Sequence, residues 1–329
     1  MTISIIVPVH KGGEAFSRCL GSIGALEPPP DEVIVVVDGG DEAACQKAEE
    51  FGAKVLTIPV AGGPAGARNL GAGQAGSDLL FFVDADVAVP PDAVSRVKNN
   101  FTNNPGLAAV FGSYDDEPSE TNFLSQYKNL FHHYVHQNSR EESSSFWAAC
   151  GAVRRDVFLE MGGFEKSYKG PMIEDVELGL RMKRSGHRIL LDKGLQVKHL
   201  KHWSLSSLLE ADFFFRALPW TALILRNRFL INDLNLKTGD RLSTVLVYVL
   251  IMGLAGSLYY NWLLSLAALS GLGLIAINWR LYAFFMRKRG FKFLLMAIPW
   301  HWFYFLYSGF AFLVGLLRYG INRILKNGL

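Results

Sequence analysis

Short apolar runs separated by polar, glycine-bearing loops make up the first half of the chain. Ile3–Val9 is a nearly continuous apolar run that predicts a buried strand, and Lys11-Gly12-Gly13-Glu14 behind it predicts a turn opening a helix to about Leu26. A second strand is expected over 32–37, closed by the loop Asp38-Gly39-Gly40-Asp41. A helix over 42–51 and a strand over 54–58 follow. A glycine-rich loop over 61–66 leads into a helix over 67–75 and a strand over 79–83. The runs are apolar throughout rather than alternating, as in strands buried on both faces, and strand and helix succeed one another at βαβ spacing. The prediction is an α/β domain with a mostly parallel sheet and flanking helices. Each polar loop follows a strand, which puts Asp38, Arg68, Asp84 and Asp86 on one edge of the sheet, where open α/β sheets take their ligands.

Beyond Asp86 the pattern is less regular. A helix is expected near 92–100, a strand near 107–112, a helix around 123–136 and a short strand over 196–199. His132, His133 and His136 fall at helical spacing and read as a solvated stripe. From 204 to 228 apolar and basic residues alternate at roughly helical period, as expected of amphipathic helices lying in a membrane interface. Residues 243–258 and 262–278 are long and nearly free of charge, and read as a helical hairpin crossing a bilayer twice, each arm at the short end of the range of about 17–25 residues. Basic residues precede it (Arg226, Arg228, Lys237, Arg241) and follow it (Arg280, Arg287, Lys288, Arg289, Lys292), so both ends are expected in the cytoplasm. A third apolar stretch over 293–317, interrupted by Pro299 and His301 and followed by Arg318, Arg323 and Lys326, is either a third span or a re-entrant segment.

The chain of 329 residues is long enough for a domain plus a membrane part, expected as 1–203, 204–240 and 241–329. Its net charge of +3 averages two different bodies, and the first shows no basic patch with interleaved aromatics, so no nucleic-acid partner is expected. Cys19, Cys45 and Cys150 are widely spaced and form no Cys-x-x-Cys pair, which points to a reducing compartment and away from zinc or disulfides. The N-terminal run is too short and strand-like for a signal peptide, so the first domain is expected to stay in the cytoplasm.

The candidate chemistry starts at Asp84-Ala85-Asp86. Side chains at i and i+2 of an extended backbone point the same way, so the two carboxylates can share one target, and their hard oxygens suit Mg²⁺ or Mn²⁺ on a substrate diphosphate. Arg68 is a candidate phosphate donor near a helix N-terminus. Asp175, in Glu174-Asp175, fits either a helix cap on a helix with an apolar Val176, Leu180 and Ile189 side, or a general base. His199 ends a short strand and is either structural or a further metal ligand. Cys150, with no base beside it, reads as a small buried hydrophobe.

Together these residues resemble glycosyltransferase family 2: inverting enzymes of GT-A fold, here of the kind with a C-terminal membrane anchor. The likeness covers roughly residues 3–203. It implies that Pro8 and His10 contact the uracil or guanine, that Asp38 contacts the base, and that Arg68 lies beside the diphosphate. It implies further that Asp84 addresses the ribose and Asp86 the metal. Gly151 and Ala152 would fall in the acceptor loop, Glu174-Asp175 would supply the catalytic base, and His199 would be another metal ligand. The implied donor is a UDP- or GDP-sugar, the cofactor Mg²⁺ or Mn²⁺, and the acceptor a lipid or polyprenyl phosphate at the membrane.

Two departures stand out. Val37 occupies the place of the first of two consecutive aspartates in many members, and no Gln-x-x-Arg-Trp follows the base, which argues against a processive cellulose- or chitin-type synthase. The rival readings are a non-catalytic sugar-nucleotide-binding scaffold and a nucleotidyltransferase. The latter would show a Gly-x-Gly-Thr/Ser-Arg loop after the first strand, and Lys11-Gly12-Gly13-Glu14 is a poor match.

Overall fold

The protein was analysed as a computed structural model that describes residues 1–227 and 237–327, with side chains to residue 321. It divides into two compact units, Met1–Ser204 and Leu205–Leu329.

The first unit runs β1 (Ile3–Val9), α1 (Glu14–Gly24), β2 (Glu32–Asp38), α2 (Glu42–Phe51), β3 (Lys54–Ile58), α3 (Pro64–Gln74), β4 (Leu79–Val83), β5 (Val87–Ala88), α4 (Ala93–Asn103), β6 (Leu107–Tyr114), α5 (Phe123–Gln137), β7 (Glu142–Ser143), β8 (Cys150–Arg154), α6 (Arg155–Glu160), α7 (Glu174–Arg184) and β9 (Arg188–His199). The sheet order is β3-β2-β1-β4-β8-β6-β9-β5, with β7 paired to β9 off this path. Strands β3, β2, β1 and β4 are parallel, β8 is antiparallel to both β4 and β6, and β6 is parallel to β9. The mostly parallel α/β sheet is therefore present, with one reversed strand in its middle.

Both faces of the sheet are covered, which is why its central strands β1 and β4 lack polar alternation. On one face Ile5, Val7, Phe81 and Val83 pack with Phe16, Leu20 and Ile23 of α1 and Val94, Val97 and Phe101 of α4. On the other, Ile6, Val36, Leu80 and Phe82 pack with Ala65, Ala67 and Ala72 of α3, with Phe158, and with Leu178 and Met182 of α7. Helix α3 lies unusually close because its inner face is Ala and Gly: a Cβ on Gly71 would sit 2.6 Å from Ile6 Cγ2. That close seat fixes the height at which Arg68 leaves the helix.

Several boundaries differ from expectation. Helix α3 starts at Pro64, whose fixed φ suits the first helical position, so Arg68 stands in the second turn rather than the first. Strand β9 runs from Arg188, not 196, and Ile189 belongs to it instead of to the preceding helix, although it packs in the same cluster as Leu178. The histidines of α5 are not a solvated stripe. His133 and His136 are buried, and their Nδ1 atoms donate to Tyr114 O at 2.7 Å and Gly112 O at 3.2 Å. Helical spacing located the face; the aromatic lining it meets, Tyr114 and Trp147, comes from distant strands and loops.

The second unit consists of α8 (Leu205–Glu210), a π-helical turn (Ala211–Ala217), α9 (Leu218–Asn227), α10 (Thr238–Gly256), α11 (Trp262–Ile277) and α12 (Trp279–Asn327), the last broken at Gly290 by a φ of +78°. Asp212 is buried, paired with Arg216 at 2.7 Å and accepting from Tyr307 Oη at 2.7 Å. Among the described residues, two helical stretches are long and apolar enough to cross a membrane, Thr238–Gly256 and Trp279–Ile321. The expected second arm of the hairpin, α11, has 16 residues, about 24 Å of helix against a hydrocarbon core of about 30 Å. The third apolar stretch lies within a long helix that runs through Pro299. Leu254, Leu264, Leu269, Leu272, Leu295 and Leu313 are exposed on these helices, a surface suited to hydrocarbon. Arg228 lies outside the described residues, as do the side chains of Arg323 and Lys326.

Candidate active site

Strands β1, β2 and β4 end side by side, and their following loops form the site. At the end of β2, Asp38 is 5% exposed and turns its carboxylate onto the glycine loop: Gly62 N donates to Oδ1 and Gly63 N to Oδ2, each at 2.8 Å. His10 Nδ1 donates to Asp38 O at 2.6 Å, and Gly39 beside it has φ +106°, where a Cβ would lie 3.1 Å from the imidazole. Asp38 thus shapes the loop over 61–63 with both of its oxygens, while His10 is exposed and Pro8 is half-buried within β1. The loop after β1 is closed off in the same manner, Gly12 N donating to Asp41 Oδ2 at 2.8 Å.

After β4 the chain does not stay extended. Val87 N donates to Asp84 O at 3.0 Å, so Asp84-Ala85-Asp86-Val87 is a turn, not a strand end with parallel side chains. The two carboxylates accordingly have different partners. Asp84 Oδ1 accepts from Arg68 Nη2 at 2.6 Å, whereas Asp86 Oδ2 has Lys201 Nζ at 3.9 Å. Their side chains remain 31% and 32% exposed. The turn is pinned from beneath, since Leu200 N donates to Asp86 O at 2.8 Å and Val87 pairs with His199. His199 itself is buried, its ring stacked on Tyr114 with centroids 4.2 Å apart. Among the described residues no three His, Cys, Asp or Glu side chains converge on a metal-sized gap, so Asp84, Asp86 and His199 are not preassembled as a ligand set. The donor chemistry still suits a hard cation: Asp86 is an accessible carboxylate, and Mg²⁺ is commonly held by one or two carboxylates with substrate phosphates and water.

Arg68 is 4% exposed and is not turned to an open diphosphate site. Its Nη1 donates to Glu174 Oε1 at 2.7 Å while Nη2 holds Asp84. Burial pulls the guanidinium down, but the charges of Asp84, Glu174 and Asp175 outweigh this and hold its pKa above the ordinary value. Glu174, 3% exposed, is spent on Arg68.

Asp175, one residue on, is half-buried. It is not a helix cap: Ile173 is the N-cap residue of α7, and no side chain bonds there. Its Oδ2 accepts from Ala148 N at 3.1 Å and its Oδ1 from Val176 N at 2.8 Å. Burial, then the adjacent Glu174 charge, push its pKa up to about 7 against the pull of Arg68. A carboxylate so poised can take a proton near neutral pH.

Gly151 and Ala152 lie inside β8, fully buried, rather than in a loop. A Cβ on Gly151 would meet Trp147 O at 2.4 Å, so that glycine serves the packing of the loop that carries Trp147 and Ala148. Cys19 and Cys150 are buried thiols, their pKa pushed up mainly by burial, as suits small buried side chains. Sequence reading missed Lys201, which lies 4.5 Å from the Trp203 ring centre beside Asp86, and Tyr114, whose ring packs edge-on against Trp147 at the same end of the sheet. The only signal for Lys201 was its place two residues past His199.

The comparisons with known proteins give this α/β sheet its class, a glycosyltransferase of GT-A fold. Residues 4–162 match the family model for Glycosyl transferase family 2, so the chain carries a domain of that family. It is similar to a glucosyl-dolichyl phosphate glucuronosyltransferase of Haloferax volcanii, 25% identical over 60% of this chain and 69% of that protein. It is also similar to a poly-beta-1,6-N-acetyl-D-glucosamine synthase of Staphylococcus epidermidis, 30% identical over 34% of this chain but only 28% of that one. Among solved structures, the fold is shared with the mannosyltransferase PcManGT from Pyrobaculum calidifontis in complex with GDP-Man and Mn²⁺. That likeness has a TM-score of 0.60 at 15% identity, over 94% of this chain and 86% of the other. S. aureus TarS 1-349 in complex with UDP aligns with a TM-score of 0.51 at 17% identity, over 68% and 66%.

The Asp38 geometry makes a first prediction. Asp38→Ala strips two amides of their acceptor and should cost on the order of 1–3 kcal/mol, with hydrogen exchange at Gly62 and Gly63 accelerated. Asp38→Asn, which keeps one acceptor oxygen, should lose less. Unchanged exchange at both glycines in Asp38→Ala would show that the loop is held otherwise.

Proposed function

We propose that this chain transfers a sugar, with inversion, from a UDP- or GDP-sugar to a lipid-linked acceptor at the cytoplasmic face of a membrane, with Mg²⁺ or Mn²⁺ as cofactor. The observation that carries this reading is Asp175: a half-buried carboxylate held by two amides, poised near pH 7, and one residue from Glu174, which Arg68 ties to the turn carrying Asp84 and Asp86. Donor-side and acceptor-side carboxylates then sit on one frame. The nucleotides named with the two solved relatives, GDP-Man and UDP, are the basis for the donor class.

In this reading Pro8, His10 and the Asp38-shaped loop receive the nucleoside, and Asp86 would hold the metal. The bound ion supplies neutralisation of the negative charge that develops on the leaving diphosphate. Asp175 takes the proton of an acceptor hydroxyl or phosphate as the acceptor oxygen bonds to the anomeric carbon. The carbon–oxygen bond to the nucleoside diphosphate breaks on the opposite side, so the configuration inverts. The lipid acceptor is supported by the Haloferax relative, whose name specifies a dolichyl phosphate substrate, and by the candidate spans that follow the catalytic unit in this chain. Lys237 before α10, Arg241 in its first turn and a basic run from Arg287 to Lys292 are the basis for the cytoplasmic placement of the catalytic unit.

Asp86→Ala should abolish transfer and remove Mn²⁺-dependent nucleotide binding, read by titration calorimetry; donor affinity that still responds to Mn²⁺ would remove Asp86 from the metal site.

Asp175→Asn should leave nucleotide affinity nearly intact and lower kcat by about 10²–10⁴-fold. Because only the ionised base accepts a proton, wild-type kcat/KM should rise tenfold per pH unit below about 7 and level off above it. The same raised pKa means the folded chain keeps a proton that the unfolded chain releases above pH 4, so this group's contribution to stability falls as pH rises from about 4 to about 7. Turnover by Asp175→Asn at the wild-type rate would assign the base elsewhere.

A further inference from the structure

The guanidinium of Arg68 lies between three pieces of chain that are far apart in sequence. It leaves the second turn of α3, Nη2 reaches the turn after β4 at Asp84, and Nη1 reaches the first residue of α7 at Glu174. Both contacts are short charge-assisted bonds, 2.6 and 2.7 Å, and the Phe164 ring lies 5.5 Å from the guanidinium carbon. Neighbouring Asn69 fastens the same region from the other side, donating to Phe164 O at 2.7 Å and accepting from Phe164 N at 2.8 Å. A cation that takes substrate phosphate without rearrangement has N–H groups open to solvent. Arg68 is 4% exposed, with both terminal nitrogens already engaged on carboxylates. Lys201, by contrast, keeps 40% of its side chain exposed beside Asp86.

We infer that Arg68 is a positioning residue: a buried strut that holds the donor-side turn of Asp84 and Asp86 and the acceptor-side carboxylate Asp175 in one fixed spacing, and not a ligand of the diphosphate. This deepens the proposed function and rests on it. The strut works through charge. Asp84, Glu174 and Asp175 crowd one buried cation, and without it two or three carboxylates face each other in a poorly solvated space. Relaxation of that repulsion swings the start of α7 away from the turn, and a displacement of about 1 Å at the reacting groups is enough to cost on the order of 10²-fold in rate.

The test uses the full chain in detergent, with Arg68→Lys, Arg68→Gln and the double variant Arg68→Gln/Glu174→Gln, read by Mn²⁺-dependent binding of UDP and GDP, by kcat at saturating donor, and by unfolding temperature. A strut predicts that Arg68→Lys keeps nucleotide affinity within about threefold while kcat falls tenfold or more. It also predicts that Glu174→Gln, by removing the unpaired carboxylate, restores part of the unfolding temperature lost in Arg68→Gln. Nucleotide affinity weakened tenfold or more in Arg68→Lys with kcat unchanged, or an Arg68→Gln chain no more stable when Glu174→Gln is added, would overturn it. A wild-type chain that binds neither nucleotide would overturn the proposed function instead, and the stability comparison would still decide whether Arg68 is the strut.

Discussion

A guanidinium with 4% of its surface exposed must be neutralised where it lies, and in this protein that single requirement joins the parts of the site. Arg68 can reach Asp84 and Glu174 only because α3 sits close on the sheet, and α3 sits close because its inner face is Ala65, Ala67, Gly71 and Ala72. The buried ion pairs cost desolvation and add little net stability against an apolar alternative. What they provide is spacing: the turn after β4 and the start of α7, 90 residues apart from Asp84 to Glu174 in the numbering, are held to one nitrogen fork. Lysine could neutralise one partner; the planar fork addresses two at once.

Around that fork, parts of the chain with different jobs show different chemistry. On the nucleotide side the loops are fixed by carboxylates that bind backbone amides, Asp38 on Gly62 and Gly63, Asp41 on Gly12, Ala43 and Ala44. On the metal side Asp86 stays accessible while its backbone is pinned to Leu200. At Asp175 burial works against ionisation and raises the carboxylate to a useful pKa. Three acidic groups thereby have three different surroundings, which fit the three roles proposed for them.

Much of this was legible beforehand, for identifiable reasons. The parallel strands declared themselves as unbroken apolar runs, and Asp84-Ala85-Asp86 and Glu174-Asp175 stood out by spacing within segments bounded by such runs. Pairings across long stretches of chain were not legible. Nothing local distinguishes an arginine that binds phosphate from one that ties Asp84 to Glu174, and nothing local revealed that β8 runs against its neighbours, which carries Gly151 and Ala152 into the sheet. The α5 histidines show the same limit, because periodicity marks a face but not the Trp147 and Tyr114 rings that cover it. In the second unit hydropathy found the apolar stretches, while the helix lengths came only from the structure: α11 has 16 residues, and α12 is broken at Gly290. Lys201 went unnoticed because a lysine two residues after a histidine carries no pattern.

The central claim is that an acceptor activated by Asp175 displaces the donor's diphosphate in one step, from the side opposite the leaving group. Proton NMR of the glycosidic product formed from a UDP- or GDP-sugar of known α-configuration measures this directly, through the anomeric coupling constant of the first product to appear. A β-linked product, inverted and with no α-linked product detected, is the predicted result; an α-linked product would contradict single displacement and with it the role assigned to Asp175.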